Sequence, residues 1–255
     1  MSTNIAVRHK QILEKLKENG SVSVSELADI FNVSAVTIRK DLKLLESKTL
    51  LFRSHGKALP TNPYVVEQSV TEKEKIHTSE KSRIATAGGQ TLEASDSIIL
   101  ASGTSVNEFA NQIKQTQGIT VLTASLKTAL VLSENPNIEV IQLGGTVRKS
   151  SSSVIGPIGE KTLADFTCTK LFLGVDGIDL NYGLTTTSLM EASLNKAMIK
   201  SAQKTIVLAD SSKFGRKGFG RICGLEEIDQ IITDSGIDEK TQKTLLEMGV
   251  ELTIV

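Results

Sequence analysis

The chain has 255 residues, 39 % of them hydrophobic and 23 % charged, so a sizeable core is available and neither wholesale disorder nor a disulfide mini-scaffold fits. No apolar run approaches the ~20 residues that span a bilayer, and Arg8, His9 and Lys10 in a polar start do not resemble a secretory signal; a cytoplasmic chain with no membrane partner is expected. The formal net charge is +0, yet residues 1–60 carry 10 Lys and Arg against 6 Asp and Glu and the remainder 19 against 23, a split that points the basic module toward a polyanion.

Ile12, Leu13 and Leu16 predict a first helix that stops at Asn19-Gly20. Ser23-Val24-Ser25-Glu26 has the form of a capping box and opens a second, whose Leu27, Ile30 and Phe31 are expected to face inward. After the break at Asn32-Val33, Ser34 caps a third helix with the stripe Ile38, Leu42 and Leu45. Thr49–Arg53 and Lys57–Leu59, around Ser54-His55-Gly56, predict a hairpin. Residues 5–60 therefore spell a winged helix-turn-helix.

Opposite its apolar stripe the third helix carries Ala35, Thr37, Arg39, Lys40 and Lys43 behind Ser34. Thr and Arg near a helix start suit base edges in a major groove, and lysines suit phosphates. Thr37 and Arg39 are the expected readers; Lys40, with Arg53, His55 and Lys57 of the wing, holds the backbone. The string Arg8-x3-Ile12-x3-Leu16, followed after 17 residues by Ser34-x2-Thr37-Ile38-Arg39-Lys40-Asp41-Leu42, resembles the start of the DeoR family of bacterial transcription regulators. That resemblance implies double-stranded operator DNA as a partner. Lys57 stands where the family usually has a second wing glycine.

Pro60 to Pro63 and the polar stretch behind them predict an inter-domain linker over 61–73. From residue 74 to 255, strand-like runs at Ser97–Leu100, Ile119–Thr123, Ile138–Leu143, Leu171–Val175, Thr205–Ala209 and Gln230–Thr233 alternate with helical segments, an α/β pattern with a largely parallel sheet. The run Ser150 to Ser153 is expected to be a mobile loop. Cys168 and Cys223 have no CxxC or metal-ligand spacing and read as small buried hydrophobes.

Ala101-Ser102-Gly103-Thr104-Ser105 forms a strand–loop–helix corner, where free N–H groups, a close backbone approach at Gly103 and three hydroxyls suit a phosphate monoester. Gly144-Gly145, Gly174 to Asp179 and Asp210 to Gly215 follow other strands, and ligands of open α/β sheets sit outside such carboxyl ends. The expected effector site is Ser102, Gly103, Thr104 and Ser105 with Gly144 and Gly145 on the phosphate. Asp176, Gly177, Asp179, Glu191 and Lys213 are expected around the sugar.

LFLGVDGID, GLTT followed by Glu191-Ala192, and ADSSKFG resemble the sensor domain of the same family, similar in fold to ribose-5-phosphate isomerase. The resemblance implies a repressor, less often an activator, of a carbohydrate-utilisation operon, with a phosphorylated sugar as effector. The run Glu191 to Lys196 and the ending with Asp229, Asp234, Gly236 and Val250 look most like regulators of amino-sugar use. Ala101 and Ala124 replace the family's frequent Asp and Asn. Gly88-Gly89 is expected to end a helix early.

A sugar-phosphate isomerase with a DNA-binding appendage is the alternative, with Glu191 as base and Lys213 at the enediolate. A basic winged helix serves such an enzyme nothing, so no catalytic residue, metal or cofactor is expected. Neither a GxGxxG after the first body strand nor a P-loop is present. One recognition helix touches few base pairs, which calls for a homo-oligomer, a dimer or tetramer.

Overall fold

The computed structural model of the chain describes residues 5–48, 50–54, 56–59, 67–113 and 118–255. They fall into two units, Met1–Tyr64 and Val65–Val255.

In the first unit, α1 (Ile5–Asn19) ends at Gly20, whose φ is 69°, and β1 (Val22–Ser23) leads into α2 (Val24–Phe31). Ser23 and Glu26 form the reciprocal capping box, and Asn32 closes α2 in the left-handed region. Ser34 caps α3 (Ala35–Ser47) by accepting from the Thr37 amide at 3.1 Å. Strands β2 (Phe52–Ser54) and β3 (Lys57–Leu59) make the wing, and β1 joins them in the order β1-β3-β2. The core gathers Ile12, Leu16, Leu27, Ile38, Leu42, Leu45 and Ala58. Ile30, expected inside, is 50 % exposed, while Leu27, Ala28 and Phe31 of the same helix pack on the core.

A buried ion pair ties α1 to α3. Arg8 Nε donates to Asp41 Oδ2 at 2.6 Å, its Nη2 donates to Oδ1 at 3.1 Å, and His9 Nε2 lies 3.1 Å from the same Oδ1. Burial pushes the Asp41 carboxyl up, but the hydrogen bonds and charge of Arg8 and His9 outweigh it and hold the group below its usual value.

In the second unit, α4 (Val70–Lys73) and α5 (Thr78–Gly89) precede β4 (Ser97–Leu100), α6 (Thr104–Gln112), β5 (Ile119–Thr123), α7 (Leu126–Ser133) and β6 (Ile138–Gln142). A hairpin of β7 (Thr146–Arg148) and β8 (Ser153–Ile155) leads to α8 (Pro157–Leu163) and β9 (Cys168–Leu173). Then come β10 (Gly177–Asp179), β11 (Gly183–Thr186), α9 (Leu189–Lys200), β12 (Ala202–Leu208), β13 (Gly220–Cys223), β14 (Gln230–Thr233), α10 (Glu239–Glu247) and β15 (Glu251–Ile254). Seven strands form one parallel sheet in the order β15-β14-β12-β9-β4-β5-β6.

Strand residues feed two cores alternately: Ile99, Leu171, Leu173 and Val207 on one face, Ile98, Leu100, Phe172 and Ile206 on the other. Both faces are covered, as a parallel sheet requires. Cys168 and Cys223 are buried free thiols, and burial pushes Cys223 up to about 12. Helix α5 ends at Gly89, as the Gly88-Gly89 pair led one to expect. Gly88 lies against Phe109 and Leu208, where a Cβ would stand 3.3 Å from the Phe109 ring, so its smallness serves packing.

Two further expectations give way. Ser151 and Ser153 are buried, bond to each other at 2.7 Å, and Ser153 begins β8, so the serine run is ordered by its own hydroxyls. The predicted linker extends too far: Ser69 caps α4 with Glu72, and the Val70 amide donates to the Ser150 carbonyl at 2.7 Å, so 67–73 is docked on the body. Residues 61–66 lie outside the described ones.

Candidate functional site

The sheet changes direction between β4 and β9: β5 and β6 extend one way from β4, while β12, β14 and β15 extend the other way from β9. A crevice opens at such a point, outside the carboxyl ends of the two strands. Here β4 delivers Ser102 and Gly103, and β9 delivers Gly174 to Asp176. The loops are close: a Cβ on Gly174 would stand 3.0 Å from the Ser102 carbonyl, and one on Gly103 3.6 Å from Gly174 Cα. Gly174 is required by the close approach and Gly103 by its φ of 130°, which side chains rarely adopt.

The cleft between them is lined by Ser102, Gly103, Thr104, Ser105, Asp176, Glu191 and Lys213, all expected from sequence. Lys73, Arg148, Ser150, Ser151 and Thr186 join them without having been expected. Its free volume is ≈ 50 Å³, room for a few waters at roughly 10–15 Å³ each.

Two carboxylates organise the walls. Glu191, at the start of α9, accepts from the Ser102 hydroxyl at 2.8 Å, the Thr186 hydroxyl at 2.9 Å and Arg148 at 3.2 Å. Arg148 also reaches Glu67 at 2.5 Å. Asp176 accepts from Lys73 at 2.5 Å and from the Thr187 amide at 3.2 Å, and the Thr186 hydroxyl, 3.1 Å away, shares its one hydrogen between Asp176 and Glu191. Burial works to raise the Asp176 carboxyl, but the charge and hydrogen bond of Lys73, with Lys213 and Thr186, hold it below its usual value. Lys213, at the end of a single 3-10 turn, stands 3.9 Å from the buried Asp210. The wall thus combines three cations, Lys73, Arg148 and Lys213, with the hydroxyls of the β4–α6 corner.

Four expected residues are placed elsewhere. Asp179 accepts the Asn181 and Tyr182 amides at 3.1 and 2.8 Å and pairs with Lys217 at 3.3 Å, so it caps the turn between β10 and β11. Gly177 abuts the Arg216 carbonyl, Gly145 that of Ile155, and Gly144 the Ile158 side chain. Gly177 and Gly145 thus allow close backbone approaches off the cleft wall, and Gly144 makes an ordinary side-chain contact there.

In the first unit, Arg39, Lys40 and Lys43 are exposed along α3, Ala35 and Thr37 are half-buried at its start, and Lys57 is exposed on the wing. The Thr37 hydroxyl lies 2.9 Å from that of Ser34, so the pair shares the cap. Val36, 58 % exposed beside them, was not singled out from sequence. An exposed apolar residue at a helix start was the available signal. Arg53 is engaged: its Nε donates to Glu46 at 2.6 Å and its amide to the same carboxylate at 3.0 Å, which ties the wing to α3. His55 lies outside the described residues.

Among the described residues no group of acidic, His and Cys side chains could hold a metal, and no helix is long and apolar enough to cross a membrane.

Comparison with known proteins places both units. A family model of the DeoR-like helix-turn-helix domain matches residues 8–62, and one of the DeoR C terminal sensor domain matches 76–235. The chain is 37 % identical over 251 residues to the uncharacterized HTH-type transcriptional regulator YulB of Bacillus subtilis, covering 98 % of this chain and 97 % of the relative. It is 36 % identical over 256 residues to a putative aga operon transcriptional repressor of Escherichia coli O157:H7, covering 99 % and 95 %. Among solved structures, ribose 5-phosphate isomerase A of Methanocaldococcus jannaschii aligns with TM-score 0.41 and 14 % identity over 54 % of this chain and 55 % of that one. A probable sor operon regulator of Shigella flexneri aligns with TM-score 0.43 and 13 % identity over 81 % and 97 %. Matched along nearly its whole length to regulators with the same two parts in the same order, the chain belongs to the DeoR family of transcriptional regulators.

Proposed function

We propose that the protein is a repressor of a carbohydrate-utilisation operon, released from operator DNA when a phosphorylated sugar binds the cleft at the β4–β9 switch point. The observation that carries this reading is the convergence of Lys73, Arg148 and Lys213 on the hydroxyl-lined corner Ser102–Ser105, opposite Asp176 and Glu191. Cations and helix-start amides suit a phosphate, and carboxylates suit sugar hydroxyls or an amine. The amino sugar that the Glu191 to Lys196 run suggests fits the second requirement. Lys73 and Arg148 are already paired with Asp176 and Glu191, so the ligand's phosphate competes with those carboxylates for the two cations, which couples binding to the docked segment 67–73.

Thr37 and Arg39 read base edges in this proposal, with Ala35 and Val36 close to thymine methyls, while Lys40, Lys43 and Lys57 hold phosphates. The working form is a dimer or tetramer, presenting recognition helices to two half-sites; sedimentation of a monomer both free and on operator DNA would refute it. Catalysis is not part of the reading. In this reading Glu191, which accepts from Ser102, Thr186 and Arg148, holds the cleft wall in place.

Thermal denaturation of the full chain against a panel of sugar phosphates tests the cleft. One member should stabilise the protein by about 2.7 kcal/mol at a hundredfold excess over Kd. A panel without any stabilising phosphate, or equal stabilisation by the free sugar, would refute it.

A further inference from the structure

Lys81 is 5 % exposed and absent from the cleft wall. Its ammonium, on the first turn of α5, donates to the carbonyls of Lys73 and Ile76, both at 2.6 Å. The Lys73 carbonyl, which also accepts the Ile76 amide at 3.2 Å, closes α4, and the Ile76 carbonyl lies three residues beyond it, so the cation bridges the helix end and the turn that follows. The charges that face Lys81 are Asp210, Lys213, Lys73 and Glu74. Asp210 is 1 % exposed, and its Oδ2 has no hydrogen-bond partner among the described residues. One of the three cleft cations, Lys73, is tied to Lys81 through its own backbone carbonyl. A buried ammonium is costly to keep, and burial pushes Lys81 below its usual value.

We propose that Lys81 is a positioning residue for the cleft: without touching the ligand, it fixes the α4 turn so that Lys73 meets the ligand's phosphate. This inference rests on the cleft reading given above. It explains why a charge is spent under a wall rather than in it, and why the segment leading into the body is docked by a carbonyl-directed cation rather than by apolar contacts alone.

The test is a double-mutant cycle in the full chain, with inorganic phosphate as the probe and its apparent Kd taken from the rise of Tm with phosphate concentration at constant ionic strength. Lys73→Met and Lys81→Met should each weaken phosphate binding by about tenfold, and the double variant should be no weaker than either, because Lys81 acts through Lys73. A merely structural Lys81 would leave phosphate affinity unchanged, or lower it by a factor that multiplies with that of Lys73→Met; either result overturns the proposal. Lys81→Arg, which keeps charge and donors, should recover most of the affinity. Should Lys81→Met not fold, Lys81→Gln, with two N–H donors and no charge, carries the same cycle. Failure of the wild-type chain to bind phosphate would overturn the cleft reading and this inference together, whereas normal wild-type binding with an unaffected Lys81 variant would overturn this inference alone.

Discussion

Lys73 Nζ donates to Asp176 Oδ1 at 2.5 Å across 103 residues of sequence. The bond joins the short helix at the entrance of the second unit to the loop that follows its central strand. An anion at the Ser102–Ser105 corner would compete with Asp176 for the Lys73 ammonium.

Asp176→Asn removes the competitor for Lys73 together with an acceptor for sugar hydroxyls. Inorganic phosphate should bind more tightly to this variant, while the advantage of a sugar phosphate over phosphate shrinks. Calorimetric titration of both ligands checks the ratio; an unchanged ratio would place the sugar away from Asp176.

The exposed cations of α3 and the wing divide into readers and holders. Arg39→Ala should cost about 1–3 kcal/mol on the specific operator and little on random DNA. Lys57→Ala should weaken both alike and flatten the salt dependence by about one counterion. Binding measured on both DNAs over a salt series separates the two outcomes.

Arg53 was expected to hold phosphate, but it is paired with Glu46, whose carboxyl its hydrogen bonds keep below the usual value. A half-exposed pair of this kind contributes about 0–1 kcal/mol. Glu46→Gln, which frees the guanidinium, should therefore leave stability nearly unchanged and tighten non-specific DNA binding, as read by filter binding at low salt.

The Arg8–Asp41 pair is nearly sealed from solvent, with side chains 9 % and 4 % exposed. Removing one partner strands the other charge, and Arg8→Met should destabilise the first unit by about 3–5 kcal/mol. The Asp41 carboxyl sits below its ordinary 3.8, so the unfolded chain takes up its proton first as acid is added. The stabilisation is complete above the ordinary value and lost as pH falls through the depressed one. Denaturation curves of wild type and Asp41→Asn between pH 7 and 3, two values chosen to bracket roughly the carboxylate range, should converge toward the acid end.

Local chemistry was readable wherever it is local. The Ser23–Glu26 capping box and the Ser34 cap are written in spacings of three and were expected as they occur. The six strand cores were found from their apolar runs, although β9 and β12 begin three residues earlier than expected, through polar positions. Strand β15 was missed because Glu251 and Thr253 break its apolar pattern at a sheet edge, where β14 is its partner. The β4–α6 corner was legible because a strand, a glycine and hydroxyls follow one another in the chain. Lys73, Lys81 and Arg148 were not, since each acquires its role from a partner 5 to 103 residues away. Asp179 misled for the opposite reason: its neighbours Asn181 and Tyr182 already use it.

A phosphorylated sugar in the cleft is expected to loosen operator binding. The most direct test is titration of the full-length protein–operator complex with sugar phosphates and their parent sugars at fixed ionic strength, so that added anions do not release DNA by screening alone. One sugar phosphate should dissociate the complex while its parent sugar does not, and Lys213→Ala should bind operator normally yet need about tenfold more ligand. Release by the parent sugar at the same concentration, or an unshifted midpoint in Lys213→Ala, would contradict it.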